Sequence, residues 1–106
     1  MSTLLPTGIR DALPKRGGQE SRRDPIVHII FYFPLSEWVW FATEGEVVEG
    51  DFLFFGYVIG LEREWGHFTL GELESVNVQG VNVRRDEEHI PQPLSKCLKR
   101  YGIDEK

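Results

Sequence analysis

Residues 26–59 read IVHIIFYFPLSEWVWFATEGEVVEGDFLFFGYVI, three β-branched and aromatic runs separated by two short polar interruptions, and this pattern decides the fold. Ile26–Phe33 is unbroken and closed by Pro34. A Pro-Leu-Ser-Glu link leads to the second run, Trp38–Thr43, and the spacing predicts two hairpin-paired strands. Gly45–Asp51 has the charge and glycine content of a turn, and Phe52–Ile59 follows as a third strand, interrupted at Gly56 and ended by Gly60. Trp65–Phe68 adds a fourth, shorter strand. Trp38 and Trp40 lie two apart and share one face of their strand, with Val39 and Phe41 on the other. Either that strand is buried on both sides, or one side presents an aromatic platform.

Working outward, Thr69-Leu70-Gly71-Glu72 has the form of a capping box, with Phe68 and Leu73 at the hydrophobic-staple positions, so a short helix follows the fourth strand. Leu5, Ile9 and Leu13 are spaced four apart, with Pro6 at a first helical position and Pro14 as the stop, which predicts a short helix over 6–13. Lys15–Asp24 is polar and charged without apolar periodicity, and reads as a mobile connection over 15–24. Val76, Val78, Val81 and Val83 alternate with polar residues, but the phase slips at Gly80, leaving a bulged strand and a tight hairpin both open. His89–Pro93 is extended by its prolines. Leu94, Cys97, Leu98 and Tyr101 then line one face of a C-terminal helix that ends before Gly102. The expected fold is α+β: an antiparallel sheet of about four to six strands, with short helices at the N-terminus, after the fourth strand and at the C-terminus. Residues 1–106 form one domain on this reading.

Composition narrows the chemistry. The chain has 106 residues, seven Phe, three Tyr, three Trp and a formal charge of −5, and its length suits one core. The acidic excess sits in residues 36–74, where nine carboxylates face one arginine, and all three tryptophans lie in the same segment. Cys97 is the only cysteine, so no intramolecular disulfide forms, and a reducing, cytoplasmic setting is expected. No run approaches the roughly 18 apolar residues of a membrane helix. His28, His67 and His89 lack the spacing of a metal site, and no P-loop, dinucleotide or G-x-S-x-G pattern occurs. Hence no catalytic residue, metal or cofactor is assigned. Arg22-Arg23 and Arg84-Arg85 are more simply ion-pairing groups in an acidic chain, which disfavours direct nucleic-acid binding.

Leu4-Leu5-Pro6 with Leu13-Pro14, Trp38-x-Trp40, Thr43-Glu44, Phe55-Gly56, Glu64-Trp65-Gly66-His67-Phe68, Leu70-Gly71-Glu72-Leu73, Arg85-Asp86 and Pro93-Leu94 together resemble the bacterial family named domain of unknown function 2958. The departures are Trp65 and His67, where the family pattern has Leu and Tyr, and Glu87-Glu88-His89, where it has an aromatic pair. The resemblance implies a small bacterial accessory protein carried on plasmids and other mobile elements, and carries no activity with it.

These readings favour a non-enzymatic protein-interaction module. Its candidate binding residues are Trp38, Trp40, Glu44, Glu64, Arg85 and Asp86, and a basic protein partner suits the acidic middle segment. An acidic nucleic-acid mimic directed at a DNA-binding or host-defence protein is the alternative, and needs the acids gathered on one face. A small hydrolase using a carboxylate pair, with Arg85 stabilising an anion, is the third. Monomer and homodimer are both open.

Overall fold

The computed structural model describes residues 4–103. Along the chain run α1 (Thr7–Ala12), β1 (Ile26–Val27), β2 (Ile29–Tyr32), β3 (Val39–Val48), β4 (Asp51–Ile59), β5 (Arg63–Thr69), α2 (Leu70–Ser75), β6 (Asn77–Val78), β7 (Val81–Asn82), β8 (Arg84–Arg85), β9 (Gln92–Pro93) and α3 (Leu94–Arg100). Five strands form one antiparallel sheet in the order β5-β4-β3-β2-β8, while β1 pairs with β9 and β6 with β7 as two-stranded ribbons. The fold is therefore the expected α+β arrangement, with helices near both ends and after the strand that carries Trp65.

Two local readings change and one left open is decided. The Ile26–Phe33 run is divided at His28, whose N–H donates to the Ala42 carbonyl at 2.9 Å; β1 leaves the main sheet to pair with β9. The turn expected over 45–51 shrinks to two residues, because β3 and β4 stay paired as far as Val48 and Asp51. Glu49 and Gly50 take positive φ values of 47° and 84°, the geometry that matches strand twist in a two-residue hairpin. Gln79 and Gly80 repeat it with 55° and 86°, so 76–83 is a tight hairpin rather than a bulged strand.

The sheet is covered on both sides. On one side, Phe31, Ala42, Phe52, Phe54 and Phe68 pack with Leu73 of α2, with Val83, and with Leu4, Leu5 and Leu13 around α1. On the other, Val27, Ile30, Val39 and Phe41 pack with Leu94, Cys97 and Leu98 of α3. Alternation of neighbours, Ile30 with Phe31 and Phe41 with Ala42, feeds both clusters from the same strands. The sheet is dense enough that Gly45 and Gly56 have no room for a side chain: a Cβ at Gly45 would lie 2.4 Å from the Phe52 ring, and one at Gly56 would lie 2.0 Å from the Phe41 carbonyl oxygen. No helix among the described residues is long and apolar enough to cross a membrane.

One irregularity in β3 sets up everything on the α3 side. Ala42 pairs with Gly56 and Glu44 with Phe55, leaving Thr43 as an extra residue in a β-bulge. The bulge reverses the phase of the strand. Before it, Trp38, Trp40 and Ala42 face the α1/α2 side; after it, Gly45 sits under the Phe52 and Phe54 rings, and Glu44 and Glu46 point to the α3 side. Without the bulge, Glu44 would be driven into the phenylalanine cluster.

The capping box at α2 is formed as read. Thr69 Oγ1 accepts from the Glu72 N–H at 3.0 Å, and the Thr69 N–H donates to Glu72 Oε1 at 2.8 Å. Thr69→Ala leaves the Glu72 N–H without its partner and should cost about 1 kcal/mol, lowering the melting temperature by about 4–8 °C. Thermal melts of the two proteins check this, and coincident curves would exclude a stabilising box.

Candidate functional site

Segment 15–25 lies against the α3 side of the sheet, and its contacts are almost wholly polar. Gly17 and Gln19 donate their backbone N–H groups to the two carboxylate oxygens of Glu44, at 2.7 and 2.8 Å. Glu44 is only 4% exposed, so these charge-assisted bonds replace water that the carboxylate has lost. The buried Gln19 side chain donates to the carbonyls of Ile26 and Thr43 at 2.8 and 2.7 Å, and accepts from the Ile26 N–H at 2.7 Å. The Thr43 carbonyl, displaced from the ladder by the bulge, thereby has a partner. Arg16 Nε donates to Glu46 at 3.0 Å, a bond that holds the Glu46 carboxyl below its ordinary value. At the ends of the segment, the Pro14 carbonyl accepts from Gly45 at 2.9 Å, and Asp24 accepts from the Ser95 N–H and hydroxyl at 3.0 and 2.5 Å. The stretch expected to be a mobile connection is thus tied to β3 through Arg16, Gly17 and Gln19 and to α3 through Asp24.

Between this segment and the outer strands lies a cleft of about 520 Å³. Thr43 and Glu44 line it from β3, Phe55 from β4, and Trp65 and His67 from β5, while Arg16, Arg22, Arg23 and Glu20 line it from the segment. Its aromatic wall is ordered by ring contacts: Phe55 stacks on Trp65 at 5.7 Å and 16°, and meets His67 at 5.0 Å. Trp65 is 43% exposed. Arg16 is committed to Glu46 and Glu44 to the backbone, whereas the guanidinium groups of Arg22 and Arg23 have no hydrogen-bond or ion-pair partner among the described residues. Guanidinium groups next to an exposed indole suit a ligand that combines an anionic group with a flat apolar one.

The residues singled out from sequence do not converge. The register aligns Glu64, Val58, Trp40, Phe31 and Arg85 in one row across the sheet on the α1/α2 side, so Glu64 and Arg85 stand at opposite ends of it. Trp38 and Trp40 do come together, with ring centroids 5.7 Å apart. Trp40 packs partly against the phenylalanine cluster, and Trp38 lies over Gly60, where a Cβ would be 2.3 Å from its ring. Glu44 is on the other side. Asp86 is a structural anchor: it accepts from Arg100, from the Tyr101 hydroxyl at 2.6 Å and from the Glu88 N–H at 3.0 Å. Burial pushes its carboxyl up, but those bonds prevail and hold it below the ordinary value. The acids of 36–74 likewise fall on both sides of the sheet, with Asp51 and Glu72 engaged at the start of α2. Gln19, Arg22, Arg23, Phe55, Trp65 and His67 were not singled out as a site. Up to Ala42 both parities of the strand are apolar, and the available signal was only that Glu44 and Glu46 then take the even positions while Gly45 and Val47 take the odd ones.

The chain matches, over residues 4–101, the family model described as a protein of unknown function, DUF2958. It belongs to the DUF2958 family. No curated protein and no solved structure matches it. In this DUF2958 protein, no group of three or more His, Cys, Asp or Glu among the described residues is arranged to hold a metal ion. Cys97 is fully buried, and burial pushes its thiol up to about 11, which removes it from thiolate chemistry at neutral pH.

Two histidines outside the cleft give the DUF2958 protein a pH dependence. His89 Nε2 donates to the Val27 carbonyl at 2.7 Å, and Nδ1 of both His89 and His28 is buried without a partner among the described residues. Burial, reinforced by the neighbouring His89, lowers the pKa of His28; burial also lowers that of His89, against the opposing effects of the Val27 carbonyl and Asp86. Each ring therefore binds a proton more readily in the unfolded chain, whose value is near 6.5. Stability is fully present above about pH 6.5 and falls as the pH drops below it. Denaturant melts between about pH 7 and 5 should show this decline, and His28→Gln should flatten it; a pH-independent wild type would contradict the assignment.

Proposed function

We propose that the protein is a binding module whose ligand sits in the cleft between segment 15–25 and strands β4 and β5. The observation that carries this reading is the guanidinium pair of Arg22 and Arg23, without side-chain partners among the described residues, sharing the cleft with the exposed Trp65 ring. The ligand has a carboxylate or phosphate for the guanidiniums and a flat group for the indole. This departs from the basic partner suggested by overall charge, because Arg22 and Arg23 outnumber Glu20 among the uncommitted charged side chains of the cleft. Phenyl phosphate is a direct probe. It should bind saturably and shift the backbone resonances of Phe55, Trp65 and His67, and the double variant Arg22→Ala/Arg23→Ala should bind about tenfold or more weakly. Absence of saturable binding, or equal affinity in the double variant, would overturn the proposal.

A second reading keeps the interaction module with a basic partner, and one feature favours it. Leu35, Trp38 and Leu61 are 55%, 37% and 94% exposed on the turns at one end of the sheet, where Glu37, Glu62 and Glu64 supply negative charge. An accessory role on mobile elements, as the family resemblance implies, is compatible with either surface.

A further inference from the structure

The aromatic wall of the cleft is also the open edge of the sheet. β5 pairs with β4 from Arg63–Ile59 through Thr69–Leu53 without a bulge, and no strand among the described residues pairs with its outer side. Sheet edges are ordinarily blunted by charge, proline, bulges or shortness. The opposite edge, β8, has two residues, whereas β5 has seven. Within β5, Trp65-Gly66-His67-Phe68-Thr69 contains none of the first three devices.

We propose, building on the cleft as the ligand site, that the ligand is an extended acidic segment of a partner protein, added to β5 as a sixth strand. Alternate residues of an added strand lie on one face, about 6.6–6.8 Å apart. Those on the α3 side fall beside Trp65 and His67, so an apolar residue there meets the indole and an acidic residue reaches the guanidiniums of Arg22 and Arg23. Backbone hydrogen bonds to β5 supply affinity and the cleft supplies selectivity. A second copy of this chain is a poorer occupant, since its β5 presents Arg63, Trp65, His67 and Thr69 on that side and brings no carboxylate to the cleft.

The test uses the full chain and a capped heptapeptide, Thr-Val-Phe-Val-Glu-Val-Thr, which places Phe and Glu two apart on one face. The peptide should bind saturably and slow hydrogen exchange of β5 amides that are unprotected in the free protein. Replacing its Glu with Lys, methylating its edge-pairing amides, or using Arg22→Ala/Arg23→Ala protein should each weaken binding about tenfold. Phenyl phosphate separates the two readings. If it binds while the peptide leaves β5 exchange unchanged, strand addition is wrong and the cleft reading stands; if neither binds, both fail. Sedimentation as a dimer, with β5 amides already protected in the absence of peptide, would overturn the proposal in favour of self-association.

Discussion

The fold of the α3 side depends on one buried carboxylate. Removing Glu44 from water is costly, and two backbone N–H groups from a polar, glycine-containing segment offset that cost with bonds of 2.7 and 2.8 Å. The bond is reciprocal in its effect. It solvates the acid that the Thr43 bulge has turned away from the phenylalanine cluster, and it gives segment 15–25 a place that its own composition does not provide. With only Pro25 among its apolar residues buried beside Gln19, hydrophobic burial contributes little to holding this segment. Polar bonds from Gln19, Arg16, Pro14 and Asp24 do most of it.

The cleft follows from that arrangement. α3 covers the end of the sheet where Val39, Phe41 and Ile30 lie, and segment 15–25 is held over Thr43 and Glu44. The rings of Phe55, Trp65 and His67 lie beyond both, in contact with one another rather than beneath a helix. A concave space with an aromatic wall and a guanidinium-bearing rim results from two covers that do not meet. On the α1/α2 side the opposite holds, because Phe52, Phe54, Phe68 and Leu73 close the surface, and the remaining exposed ring, Trp38, sits at the rim over Gly60.

The sheet was readable because its signals are local: β-branched and aromatic runs, Pro34, Gly60 and the capping box at Thr69 each act within a few residues. The end of β3 was not, since Glu44, Gly45 and Glu46 have the composition of a turn, and only pairing with β4 makes them a strand. The division at His28 is equally non-local, being set by the pairing of β1 with β9 from the far end of the chain. Segment 15–24 was the largest gap. Its partners lie some 24 to 30 residues away at Thr43, Glu44 and Glu46, and no periodicity within 15–24 encodes them. Glu44 was legible as a residue of interest while its role was not: it builds the site from beneath, and the groups left over for a ligand are Arg22, Arg23 and Trp65.

Segment 15–25 should therefore have a protected backbone around Glu44, and amide hydrogen exchange reads this directly. The N–H groups of Gly17 and Gln19, bonded to Glu44, should exchange far more slowly than an unstructured chain, with protection approaching that of β3 amides such as Phe41, since the clasp opens only when the sheet around the bulge does. Exchange of Gly17 and Gln19 at unstructured rates, while β3 remains protected, would contradict the account.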